Sequence, residues 1–278
     1  YSSLSLSSDG TILAIGGEFN DGNTDNSGNN TGHVRIYQWR LYTNADVNND
    51  TYHYQSRIQS DSQTKPLIIT ESTDTQPSAG KYYWTQLGTD IDGENEGDKS
   101  GLSVSLSSDG TIVAIGGIGN DTNRGHVRVY KYDGSSWIQV GADIDGEAQG
   151  DFSGHGVSLS SDGTILAISA PFNNGYNEQF ENSNDGNYSG HVRVYKWRLY
   201  TDADANVYNH GSRIQDSTST YKKPLIITEN INTAPISGNY YWTQLGFDID
   251  GENQGDNIGG YSSLSLSSDG TILAIGGE

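Results

Sequence analysis

Apolar and polar residues alternate with a period of two through most of this chain. In Ser103–Ser107 the side chains of Val104 and Leu106 share one face and the serines take the other. In His126–Tyr130 the pair Val127 and Val129 lies opposite Arg128 and Tyr130. A period of two is the signature of a β-strand with unlike faces. The stretch Thr111–Ile115 (TIVAI) is apolar on both faces and predicts a strand buried between neighbours. Asp9-Gly10, Asp109-Gly110, Asp162-Gly163 and Asp269-Gly270 each separate two such strands. Asp-Gly in that position predicts a hairpin with a type I′ turn, which needs positive φ at both central residues. No segment of ten or more residues carries a helical period, so the predicted class is all-β.

The strands recur as a phrase. Leu-Ser-Leu-Ser-Ser-Asp-Gly-Thr-Ile stands at 4–12 and 264–272, with close copies at 104–112 and 157–165. The most compact unit has four strand-sized stretches: SGLSVSLSSDG, TIVAIGGIGND, GHVRVYKYDGSS and WIQVGADIDGE. The chain divides into a long unit at 1–99 with an insert at 40–83, and a short unit at 100–153. A second long unit follows at 154–260 with an insert at 198–241, then the first hairpin of a further unit at 261–278. Each insert adds about fifty residues, and the two share WRLYT, SRIQ, KPLIITE and YYWTQLG, so they are copies of each other. Each holds one expected strand, Leu67–Thr70 and Leu225–Thr228. Four antiparallel strands per unit match the blade of a β-propeller, and the expectation is tandem blades of that type. Three complete units cannot close a ring of ordinary blades. Either blades elsewhere in a longer chain or in other copies complete it, or the units form an open array. Residues 1–18 and 261–278 are the same eighteen letters, which reads as a window onto a longer array.

Composition narrows the function. Fifteen basic against 35 acidic residues give a formal charge of −20, which disfavours nucleic acid and anionic membranes as partners. No run approaches the apolar length that spans a bilayer, so no membrane insertion is expected. The absence of cysteine excludes a disulfide framework and a thiol nucleophile, and the absence of methionine as well suits an extracellular or cell-surface setting. Tyrosine, at 18 residues against 5 phenylalanines, suits strands with one hydrated face.

The unit resembles the FG-GAP repeat of integrin α-subunit propellers and of large secreted bacterial proteins. The resemblance rests on SGxSVSLSSDG, on the apolar strand that follows, and on GHVRVY. Ala167–Pro171 (AISAP) stands where the family has Gly-Ala-Pro, whereas Ala114–Ile118 (AIGGI) and Ala14–Glu18 (AIGGE) lack the proline. It covers the whole chain except the inserts, and implies a propeller fold and recognition in general. The family's first hairpin often holds Ca²⁺ on a loop with several oxygen ligands. Here that loop has shrunk to Ser-Ser-Asp-Gly with one carboxylate, so the family's calcium site is not carried onto Asp9, Asp109, Asp162 or Asp269.

The candidate metal ligands lie in a second acidic loop. They are Asp90, Asp92, Glu94 and Asp98; Asp143, Asp145, Glu147 and Asp151; and Asp248, Asp250, Glu252 and Asp256. Alternating carboxylates around a glycine can converge on a hard cation such as Ca²⁺. The same loop also reads as a connection whose aspartates accept backbone N–H groups. His33, His126 and His191 each follow a glycine once per unit and are read as structural polar residues in separate units. Trp39, Trp84, Trp137, Trp197 and Trp242 are read as packing residues near the fourth strand. No nucleophile elbow or phosphate loop is present, and no catalytic residue is assigned. The expected function is that of a non-enzymatic, extracellular structural or adhesive repeat protein that associates with itself or with neighbouring blades and requires no cofactor. The alternative is a binding module, with the tyrosine-rich inserts taking a glycan or a cell-surface protein.

Overall fold

The computed structural model describes residues 3–20, 30–55, 65–174, 188–210, 223–260 and 263–277. The described chain forms four antiparallel sheets, none of them closed. The first contains β1 (Leu4–Leu6), β2 (Ile12–Gly17), β3 (His33–Leu41), β4 (Ile68–Ile69), β5 (Tyr82–Gln86) and β6 (Ile91–Asp92). The second contains β7 (Ser100–Leu106), β8 (Ile112–Gly117), β9 (His126–Tyr132), β10 (Trp137–Gln139) and β11 (Ile144–Asp145). The third contains β12 (Gly156–Leu159), β13 (Ile165–Ala170), β14 (His191–Leu199), β15 (Tyr240–Gln244) and β16 (Ile249–Asp250). The last is the hairpin of β17 (Leu264–Leu266) and β18 (Leu273–Ile275).

Each unit is a meander in which the third strand has two partners on one side. The fourth strand pairs with its far end (Tyr37 with Gln86), and the short Ile-Asp strand returns to its near end (Val34 with Ile91). The same arrangement joins β9 to β10 and β11, and β14 to β15 and β16. The Asp-Ile-Asp segment is therefore part of the sheet before it becomes a linker.

The apolar core lies between sheets. Val104, Leu106, Val113 and Ile115 of the second unit pack against Ile12, Ala14, Val34, Ile36 and Ile91 of the first. On the opposite face Ala114, Val127, Val129 and Ile144 meet Leu159, Leu166, Ile168, Tyr195 and Trp242 of the third. Adjacent residues of β8 thus serve opposite neighbours, as the all-apolar TIVAI stretch predicts. Each such aliphatic side chain taken from water contributes roughly 1.5–3 kcal/mol.

The first strands lie beside one another and are pinned by their serines. Ser5 Oγ accepts from the Leu106 N–H, Ser105 Oγ from Leu159 and Ser158 Oγ from Leu266, each at 3.0 Å. The Ser8, Ser108 and Ser161 N–H groups reach the next unit's Ser108, Ser161 and Ser268 carbonyls at 2.8 Å. Close approach demands glycine at one point: a Cβ on Gly116 would lie 2.0 Å from the Gly154 carbonyl oxygen.

Two local expectations are corrected. The hairpin turn is not type I′, because only the glycine takes positive φ (Gly110, 69°) and Asp109 does not. The Asp109 carboxylate instead accepts from Ser107 Oγ at 2.7 Å and from the Thr111 N–H at 3.0 Å. Those bonds hold the aspartate on the ordinary side of φ and make a longer loop, closed by the Ser107 N–H on the Ile112 carbonyl. The insert strands are also shorter than expected. Only Ile68–Ile69 forms a strand, and Leu225 and Ile226 make isolated bridges. The Leu67 and Leu225 N–H groups go to the Gln86 and Gln244 side chains at 3.1 Å, which ends the ladder there. The first insert opens with a short helix, α1 (Asn44–Asn48), capped reciprocally by Thr43 and Asp46. Residues 56–64 and 211–222 of the inserts lie outside the described residues.

Candidate functional site

The third strand of each unit starts Gly-His-Val-Arg, so histidine and arginine, two residues apart, emerge on one face. The returning Ile-Asp strand sets the first aspartate of the acidic loop opposite that arginine. Arg35 Nε lies 2.9 and 3.0 Å from the Asp90 oxygens and its Nη2 lies 2.8 Å from Oδ2, while Gln86 donates to the same carboxylate at 2.7 Å. Arg193 repeats this with Asp248, through Nε and Nη2 at 2.8 Å each, and Gln244 donates at 2.6 Å. Arg193 also donates to Glu147, which belongs to the preceding unit's loop.

The second unit differs. Arg128 turns its Nη2 to the Asp92 carbonyl oxygen at 2.8 Å, and its Nη1 lies 3.5 Å from Glu94 Oε1. Asp143 is left to Gln139, which donates at 2.6 Å, and to His126, whose Nδ1 lies 3.4 Å from Oδ2.

The acidic-loop carboxylates therefore go to separate places. The first aspartates, Asp90, Asp143 and Asp248, face the third strand of their own sheet. Asp92, Asp145 and Asp250 pair in register with His33, His126 and His191. Asp98, Asp151 and Asp256 cap their own loops. Asp98 accepts the Glu94 and Asn95 N–H groups at 3.0 and 2.8 Å, Asp151 that of Ala148 at 2.8 Å, and Asp256 that of Asn253 at 2.7 Å. Glu94 and Glu147 reach into the following unit, and Glu252 is exposed. Among the described residues, three groups bring ligating atoms within 4.8 Å of one another: His33–Asp90–Asp92, Glu94–His126–Asp143 and Glu147–His191–Asp248.

Burial and charge act in opposition here. Burial disfavours the Asp248 carboxylate, but Arg193 outweighs it and holds the group down to about 2. Burial also works against charge on Arg193, yet Glu147 and Asp248 carry it above its ordinary range. Burial and then Arg35 hold His33 down to about 4, against the smaller pull of Asp90. Asp250 and Asp151 move up because burial dominates. In the first and third groups a guanidinium supplies the positive charge that a cation would bring.

The histidines sit in separate units, each facing carboxylates. Its sequence signal is the recurrence of Gly-His-Val-Arg together with Asp-Ile-Asp-Gly in every unit. Of the tryptophans, Trp137 and Trp242 donate their indole N–H groups to the Leu87 and Val140 carbonyls of the preceding unit, both at 2.9 Å. Trp39 and Trp197 stack on Tyr82 and Tyr240 with centroids 6.0 Å apart, and Trp39, Tyr82 and Tyr240 are exposed. No family model and no curated protein matches the chain.

Proposed function

We propose that this chain is a non-enzymatic structural or adhesive repeat protein of the cell exterior, working as a segment of a larger assembly of propeller-type blades. One observation carries the reading. Leu4, Leu6 and Ile15 of the first unit are exposed, whereas their counterparts Val104, Leu106 and Ile115 are buried against the preceding unit. At the far side Leu245 and Ile249 are exposed, whereas the counterpart of Ile249 in the second unit, Ile144, is buried. The open face of the first unit is the half of a junction that later units bury, whereas the matching half on the third unit is partly covered by the β17–β18 hairpin, so a further unit would seat on the first unit or complete that hairpin. A head-to-tail contact of that kind either closes a ring or continues as a filament. The charge of −20 keeps such a segment soluble until its faces meet.

Negative-stain electron microscopy of the purified protein over a concentration series tests this. Rings or filaments are expected, and both are lost in a Leu4→Asp, Leu6→Asp variant that retains its far-ultraviolet circular dichroism. Monomers at every concentration would sink the proposal.

A second reading is a glycan- or protein-binding module, favoured by the exposed stack of Trp39 on Tyr82 and by half-buried Trp197 under exposed Tyr240. Aromatic faces of this kind suit a sugar ring or an apolar side chain. Binding on a glycan array that disappears in Trp39→Ala, Trp197→Ala would support it over assembly.

A further inference from the structure

We infer that Glu94, His126 and Asp143 form a binding site for a divalent cation of the zinc class, joining the loop of the first unit to the second. His126 is 1% exposed, and its Nδ1 has no hydrogen-bond partner although it faces Asp143 Oδ2 at 3.4 Å. The other ring nitrogen is turned toward Gly117. A buried imidazole nitrogen aimed without a partner at two carboxylates needs either a proton or a metal ion to complete it.

The three similar groups are not equivalent. Asp90 is engaged by Arg35, and Arg193 occupies both Glu147 and Asp248, so a guanidinium already fills those two. Arg128 instead spends its Nη2 hydrogen bond on the Asp92 carbonyl, meets Glu94 only at 3.5 Å, and leaves Asp143 to Gln139 and His126. The second group is therefore open. The Asp143 and Glu94 side chains are 28% and 43% exposed, which gives an ion a route in.

Donor chemistry selects the ion. One imidazole and two carboxylates suit Zn²⁺ and its neighbours, with water in the fourth position, whereas Ca²⁺ takes oxygen ligands alone. The donors lie within 4.8 Å of one another, and a tetrahedral ion draws them closer. Glu94, the most exposed arm, is held by the 3.5 Å contact to Arg128 and is the one with room to swing in.

The test is calorimetric titration of the chelator-stripped full chain with zinc chloride, alongside cobalt absorption spectra as a readout of an imidazole ligand. The expected result is binding of zinc and no heat from calcium, with a rise in melting temperature. Glu94→Gln and Asp143→Asn should each weaken zinc by roughly tenfold or more, and His126→Asn should abolish the cobalt spectrum. Glu94→Gln loses only a 3.5 Å contact to Arg128 from a half-exposed side chain, so its metal-free melting temperature should fall only slightly and folding is not in question. His191→Asn serves as the control and should leave binding intact. No zinc heat, or affinity unchanged in both Glu94→Gln and Asp143→Asn, would overturn the site.

Discussion

Arg193 holds together carboxylates from two different units, and its value follows from what its removal leaves behind. Arg193→Ala would strand Asp248 and Glu147, 11% and 13% exposed, without a counter-charge. Breaking a buried pair in this way costs about 3–5 kcal/mol. Arg128→Ala should cost less, about 1–2 kcal/mol, because it loses a carbonyl hydrogen bond and a 3.5 Å contact to a 43% exposed Glu94. Urea denaturation of the two variants should rank them in that order. The histidines set a separate response to acid. Burial holds His155 below its ordinary value against the weaker opposing influence of Glu18, and His33 is held down to about 4. For both, the unfolded chain takes up the proton first. Stability is thus complete above about pH 6.5 and falls as pH drops toward the folded pKa. Below pH 3.8 a second loss follows as Asp248, held at about 2, is neutralised. Asp151 and Asp250, raised by burial, act in the opposite sense above pH 3.8, where the folded state takes up their protons first, and offset part of the histidine loss. Melting temperatures measured from pH 7 to 4 should fall, and less steeply in His155→Gln.

At the scale of elements, the sheets depend on backbones that touch. Gly116→Ala would set a methyl group 2.0 Å from the Gly154 carbonyl oxygen, a backbone atom that cannot rotate away. The turn that leads into β12 must shift, and a loss of about 1–3 kcal/mol is expected from thermal melts. Much of this level was legible beforehand. The period of two in SVSLS and HVRVY located β7 and β9, and the doubly apolar TIVAI announced a strand covered on both faces. The turn type was not legible, because Asp-Gly alone does not reveal that Ser107 and Thr111 saturate the carboxylate between them. Nor was the destination of the acidic loop. Alternating carboxylates suggested one point of convergence, but pairing of Ile91 with Val34 sends Asp90 to its own sheet and frees Glu94 for the next. That sorting depends on a strand pairing fifty-odd residues apart in sequence, which no local pattern encodes. The serines of the first strands, which the period of two sets opposite the aliphatic face, are the pins between units.

Across the whole molecule, no unit owns its core. The second unit offers Val113 and Ile115 to one neighbour and Val127, Val129 and Ile144 to the other. Excised alone, residues 100–153 would expose both sets, and a unit that small has little else to bury. Its circular dichroism should be that of an unfolded chain, with structure recovered when either neighbouring unit is restored. The shared core bears on heredity as well. Every unit meets its successor through the same serines and the same aliphatic positions, with Ser169 in the third unit where Gly16 and Gly116 stand in the first two. A gene that gains or loses one copy by unequal recombination would leave each surviving junction with its proper partner. Length can then drift between generations without any compensating substitution, and near-identical copies such as 4–12 and 264–272 are what recent drift of that kind leaves in a sequence.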